Sequence, residues 1–145
     1  MDVVDQKTRS RIMASIRGKD TKPERVLRSA LHARGFRFRL HDSRLPGRPD
    51  IVLPKYGACI FVHGCFWRRH WMCKYATTPA TRHKFWNDKF QSTVKRDQKS
   101  LEALERQGYR TAVVWECSLK HSHLDTAINS LVLWLKSTSK HIDIG

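Results

Sequence analysis

The chain has 145 residues, enough for one core built from a sheet and a few helices and too few for a second domain. Its 28 Lys and Arg against 13 Asp and Glu give a net charge of +15, which points to a polyanionic partner, nucleic acid ahead of a membrane surface. No apolar run approaches the ~20 residues of a membrane span, and no strongly basic amphipathic helix stands out. The opening Met-Asp-Val-Val-Asp-Gln lacks the basic-then-apolar order of a secretory signal, so a cytoplasmic protein is expected. In a reducing compartment its four cysteines read as metal ligands or core thiols, not disulfides.

Residues 1–20 are polar and basic, with Ile12 and Ile16 one helical turn apart and Gly18 ending the pattern. They are read as an arm, either a frayed solvated terminus or a clamp on DNA. The folded domain is expected over 21–136. Thr21-Lys22-Pro23-Glu24 supplies an N-cap, an early Pro and the Glu of a capping box, and Val26, Leu27, Ala30 and Leu31 continue at helical spacing to a stop at Gly35. Phe36, Phe38 and Leu40 then alternate with Arg37 and Arg39, the period of a half-buried strand. Two short apolar runs, Ile51 to Leu53 and Ala58 to Val62, flank Pro54-Lys55-Tyr56-Gly57 and predict a β-hairpin.

Further on, Thr81 is placed to cap a helix carrying Phe85, Trp86 and Phe90, and a second helical stretch carries Val94, Leu101 and Leu104 up to Gly108. Tyr109 to Trp115 predicts a fourth strand, and its near-continuous apolar run Ala112-Val113-Val114-Trp115 predicts burial on both faces and a central place. A last amphipathic helix carries Leu124, Ala127, Ile128, Leu131 and Leu135, and residues 137–145 read as a loose polar tail. There is no internal repeat and no low-complexity linker.

Two constellations carry chemistry. Asp50 opens the first hairpin strand and His63 closes the second, so antiparallel pairing brings both to one end, where such a pair can hold a divalent metal and a phosphate. The layout is that of the Pro-Asp…(Asp/Glu)-x-Lys nucleases, in degenerate form, since Phe61-Val62-His63 replaces the second acid and the lysine. Cys65, His70 and Cys73 follow, and Cys117 beyond the fourth strand is the natural fourth ligand of a closed tetrahedral site of the structural zinc type. Cys59, inside an apolar strand, reads as core. His32, His41, His83, His121, His123 and His141 read as surface histidines. Phe66, Trp67 and Trp71 lie among the ligands and either form a small aromatic core around the metal or stand free to stack on bases; Trp86 offers the same two readings.

The segments Leu45-Pro46-Gly47-Arg48-Pro49-Asp50, Phe61-x-His63-Gly64-Cys65-Phe66-Trp67, Pro79-Ala80-Thr81-Arg82-x-x-Phe85-Trp86 and Val114-Trp115-Glu116-Cys117 closely resemble the very short patch repair endonuclease family, Vsr, in order and over roughly Thr8 to Leu119. The resemblance implies a restriction-endonuclease-like α/β/α sandwich with a central mixed sheet and a structural zinc site. It implies a nuclease that recognises a thymine-guanine mismatch left by deamination of 5-methylcytosine and nicks the strand 5′ to the thymine. It implies Mg2+ as catalytic ion, mismatched double-stranded DNA as substrate, mismatch-repair proteins such as MutL as partners, a monomer, and a bacterial cytoplasm with work on the nucleoid.

Position by position, Asp50 resembles the family's magnesium-binding aspartate, His63 its active-site histidine and Glu24 its active-site glutamate, a role that competes with the capping box. Cys65, His70, Cys73 and Cys117 fall on the zinc ligands, with one residue more between His70 and Cys73 than in some members. Phe66, Trp67 and Trp86 fall on the aromatics that intercalate beside the mismatch. Val62 stands where a threonine is known in the family, leaving only its backbone carbonyl to bind magnesium. Arg68 replaces a second catalytic histidine, although Asp97, the partner of that histidine, is retained. These departures leave open a rival of another class, a zinc-stapled DNA-binding protein with weakened or lost nuclease activity, and also a related nuclease with another target.

Overall fold

The computed structural model describes residues 21–65, 68, 70, 73, 76 and 81–145. The basic arm, Phe66, Trp67 and Trp71 lie outside them.

Helix α1 (Lys22–Ala33) starts where the capping signals place it. The Thr21 hydroxyl accepts the Glu24 N–H at 3.5 Å, and Leu27 and Leu31, one turn apart, are fully buried. Strand β1 (Arg39–Leu40) is shorter than the alternation suggests. Phe36 is buried against the Tyr56 ring, 5.6 Å between centroids, without joining a ladder, so its apolar period reflects packing and not pairing. The predicted hairpin is present as β2 (Ile51–Leu53) and β3 (Ala58–His63), antiparallel with Ile51 opposite Ile60. A single 3-10 turn, Pro54–Tyr56, links them, and Gly57 closes it at φ +59°, the left-handed region glycine enters at little cost.

The two helical stretches after residue 81 are one helix, α2 (His83–Arg106), 24 residues long. No Gly or Pro separates Phe90 from Val94, so nothing in the sequence breaks the ladder. Thr81 does not cap it; Arg82 occupies the cap at φ +55° with no side-chain cap bond. Strand β4 (Arg110–Trp115) runs parallel to β3 with His63 opposite Trp115, and is central as expected. After α3 (Leu124–Leu135) the chain does not fray. His141–Ile144 forms β5, parallel to β4, with Ile144 buried opposite Val114. The Arg110 guanidinium anchors this turn, donating to the carbonyls of Trp134, Leu135 and Ser139 at 2.6, 3.1 and 3.0 Å. The sheet therefore continues past the expected domain end at 136.

The five strands lie in chain order, two antiparallel pairs followed by two parallel ones. Strand alternation sorts their side chains to two faces. Ile51, Leu53, Ala58, Ile60, Ala112 and Val114 pack with α1 and α3, while Val52, Cys59 and Phe61 pack with Leu104 of α2. The result is an α/β/α sandwich around a mixed sheet. No helix among the described residues is long and apolar enough to cross a membrane.

Candidate active site and metal centre

Asp50 follows the fully buried Pro49 at the entrance to β2, and its Oδ2 accepts the Val62 N–H from β3 at 2.7 Å. Two further groups reach it. Glu24, in the first turn of α1, is 5% exposed, and its Oε2 lies 2.9 Å from Nε2 of His41. His41 arrives there because its N–H donates to the Asp50 carbonyl at 3.2 Å, one ladder step beyond β1, before the backbone turns at φ +47°. One donor atom from each of Glu24, His41 and Asp50 lies within 4.8 Å of the others, the spacing of a metal-ligand set. Burial, seconded by the Glu24 carboxylate, raises the Asp50 pKa to about 7, while the Val62 N–H pulls it down.

His63 ends β3 on the α2-facing side of the sheet, alternating with Cys59 and Phe61. It does not join Asp50 in a single ligand set. Its ring is 5% exposed and meets Trp115 edge-on at 5.1 Å. Burial lowers its pKa to about 3 and the Arg68 guanidinium adds to that, against a weaker pull from Asp143, so the imidazole is neutral. Arg68 is ion-paired with Asp97 of α2, and its charge acts on both Asp50 and His63. His63, Arg68 and Asp97 line a cleft of about 400 Å³ together with Gly47, Lys89, Arg96 and Ser100. The loop carrying Gly47 passes close to α2, at φ +73°, and a Cβ at residue 47 would sit 2.6 Å from that of Ser100.

The third cluster follows from strand register. With His63 opposite Trp115, Cys65 and Cys117 emerge side by side, each two residues on. The Cys65 N–H donates to the Glu116 carboxylate at 3.1 Å, and His70 N–H to the Cys65 carbonyl at 3.1 Å, folding the loop back. His70 Nδ1 then lies 3.6 Å from Cys65 Sγ and 3.4 Å from Cys117 Sγ, and with Cys73 the four donor atoms fall within 4.8 Å of one another. The His70 ring stacks on Trp115 at 4.3 Å and 8°. Burial raises the Cys65 thiol to about 12, so a cation has to draw off the protons. Three sulfurs and one nitrogen at this spacing fit a tetrahedral metal site.

The model of the family described as DNA mismatch endonuclease Vsr matches residues 1–74. The type II nicking enzyme V.XorIIP of Xanthomonas oryzae pv. oryzae is 44% identical over 118 residues, 81% of this chain and 86% of the relative. The DNA mismatch endonuclease Vsr of Escherichia coli is 44% identical over 119 residues, 82% and 76% of the two chains. The chain belongs to the Vsr family. V.NmeAIP, a type II nicking enzyme of Neisseria meningitidis, is 40% identical over 136 residues, 93% of this chain and 96% of the relative. Membership makes this protein a DNA endonuclease with the restriction-endonuclease-like fold, and gives its basic charge a partner in DNA.

Within this Vsr-family chain the structure brings Glu24 to Asp50 across the fold, and gathers Cys65, His70, Cys73 and Cys117. His63, Arg68 and Asp97 share the neighbouring cleft. Val62 meets Asp50 through its N–H; in an extended strand the carbonyl of the same residue points to the same edge. Trp86 is half-buried on α2, 5.3 Å from Phe85 and 5.9 Å from Phe90 between ring centroids. Cys59 is fully buried in the core. His41 is the residue that sequence reasoning missed. Read as a surface histidine, it is instead inside the acidic cluster with its side chain 11% exposed.

Proposed function

We propose that this protein nicks one strand of double-stranded DNA 5′ to the thymine of a thymine-guanine mismatch, the lesion that deamination of 5-methylcytosine produces. The observation that carries this reading is the convergence of Glu24 on Asp50 beside the His63 cleft, in a chain that is 44% identical to a DNA mismatch endonuclease of E. coli. Hydrolysis forms a bond from a water oxygen to phosphorus, breaks the bond to the leaving deoxyribose oxygen, and needs one proton removed and one supplied.

Asp50, Glu24 and the Val62 carbonyl are assigned to hold Mg2+, with the N–H of Val62 fixing the Asp50 carboxylate at 2.7 Å. Such an ion polarises the phosphate and lowers the pKa of water. His63, kept neutral by burial, is assigned to face the scissile phosphate as an acceptor. Arg68 is assigned to contribute guanidinium N–H groups to a phosphate, since a guanidinium has donors and no acceptor to serve as a base. Cys65, His70, Cys73 and Cys117 are assigned to structural Zn2+, which leaves no open position for water. Phe66, Trp67 and Trp86 are assigned to the wedge beside the mismatch, where less pairing energy opposes unstacking. Residues 1–20 are assigned as a basic arm on the DNA, the working unit as a monomer acting in the cytoplasm, and MutL-type repair proteins as its partners.

The test is incubation with Mg2+ and end-labelled duplexes that are either paired or mismatched. A single nick 5′ to the mismatched thymine is expected. Tight binding of the mismatched duplex with neither strand cut would replace this reading with that of a DNA-binding protein.

A further inference from the structure

We propose that His41 is a third side-chain ligand, beside the Val62 carbonyl, of the ion held by Glu24 and Asp50, and that its nitrogen makes the site prefer manganese and the later divalent transition ions to magnesium. The proposal rests on the reading that Glu24 and Asp50 hold the ion. Neither the capping signals nor the hairpin points to His41. Its place follows from the ladder bond to Asp50 and the left-handed turn that succeeds it. That turn sends the side chain inward, where it is 11% exposed against a Glu24 side chain 6% exposed. Nε2 is the atom that faces Glu24, at 2.9 Å, and it belongs to the set whose donor atoms all lie within 4.8 Å. Ligands about 2.1–2.2 Å from a common ion are separated by roughly 3–4.4 Å, so a set whose donor atoms lie within 4.8 Å of one another needs only small side-chain shifts to share one ion.

The chemical consequence comes from the donor type. Magnesium is a hard ion that takes oxygen ligands and keeps several waters. Two carboxylates alone would suit it. An imidazole nitrogen adds little for magnesium but is a good ligand for first-row transition ions, whose affinities rise along the series from manganese. A mixed site of two carboxylates and one imidazole therefore discriminates by ion, at a place where an all-oxygen site would not.

The experiment uses full-length, zinc-replete protein titrated with Mn2+, followed by electron paramagnetic resonance of the free and bound ion and by competition with Mg2+. Pulsed measurements on the bound Mn2+ report a directly coordinated nitrogen. The unaltered protein should show nitrogen coupling, and His41→Gln, which keeps size and an oxygen donor, should lose it while its preference for Mn2+ over Mg2+ falls about tenfold. Asp50→Asn should weaken Mn2+ binding at the same place. Bound Mn2+ without nitrogen coupling, coupling that survives His41→Gln, or an unchanged ion preference would each overturn the assignment. The two readings separate cleanly. Nicking of mismatched DNA by a protein whose Mn2+ shows no nitrogen coupling removes His41 and keeps the nuclease, whereas nitrogen coupling in a protein that cuts nothing keeps His41 and removes the nuclease.

Discussion

His63 and Trp115 are register partners on the parallel strands β3 and β4, their rings edge to face at 5.1 Å, and the same Trp115 stacks on His70 at 4.3 Å. One indole thus joins the nuclease cleft to the sulfur cluster. A disturbance of the cluster should reach His63 through packing, since His70 also lines a cavity shared with His63, Arg68 and Asp97.

The first prediction concerns that link. Cys117→Ala removes one of the four donor atoms that converge at the end of β4. If the cluster holds zinc as proposed, the variant should purify without it and melt at a temperature lower by roughly 10 °C, since a closed site contributes directly to folding. Elemental analysis with a thermal melt checks both. Purified unaltered protein free of zinc would end the four-ligand proposal.

Asp50 yields a prediction whose sign is set by its raised pKa. Its folded value is about 7 against 3.8 for the free carboxyl, so between these the folded state holds more protons than the unfolded one. Stability contributed by this group therefore falls as the pH rises from about 4 to about 7 and stays low above that. Asp50→Asn keeps an acceptor for the Val62 N–H but not the charge. In chelator, the variant should be more stable than the unaltered protein at pH 8 by a few kcal/mol, with the gap closing toward pH 4. It should bind DNA and not cut it. Equal denaturation midpoints at pH 8 would mean that Asp50 is not held in an apolar setting.

The local features were the legible ones. Pro54 to Gly57 between two apolar runs named the hairpin, and Thr21 to Glu24 named the start of α1, because each signal lies within a few residues of its effect. The β5 strand was lost because only Ile142 and Ile144 alternate, after the polar Ser137-Thr138-Ser139-Lys140. His41 was lost for a different reason. What makes it a site residue is a bond to Asp50 across the ladder and the Glu24 carboxylate of the preceding helix, 17 residues upstream, and neither is encoded in its neighbours. Glu24 itself was reached through family resemblance, not through its capping pattern.

Gly47 provides a test of how the cleft is kept open. A methyl group there would lie 2.6 and 2.8 Å from Cβ and Oγ of Ser100 and 3.2 Å from the Phe61 ring, on a backbone at φ +73°. Gly47→Ala should destabilise by about 1–3 kcal/mol and slow nicking by shifting the loop that leads to Asp50. Adding Ser100→Gly relieves the contact and should recover part of the loss, leaving the backbone strain. Denaturant midpoints of the two variants measure each portion, and a Gly47→Ala protein as stable as its parent would show that the loop moves freely away from α2.

Arg68 gives the last prediction. Its guanidinium is ion-paired with Asp97 in the cleft beside His63, and a guanidinium offers five N–H donors and no acceptor. It can contact phosphate but cannot take a proton from the attacking water. A positioned base typically contributes ~10²–10⁴ in rate, so the protein as it stands should cut slowly. Arg68→His places an imidazole where Asp97 can orient it and favour its protonated form, as a carboxylate does for a histidine. The single-turnover rate at saturating protein should rise, and it should gain a dependence on pH that climbs through the titration of the new imidazole. Saturation matters because losing the arginine also weakens the hold on phosphate. Arg68→Ala is the control, since it removes the same charge and supplies no base. If the histidine variant cut no faster than the parent, and its pH profile matched that of the alanine variant, then His63 or another group already serves as the base and the arginine costs this enzyme nothing.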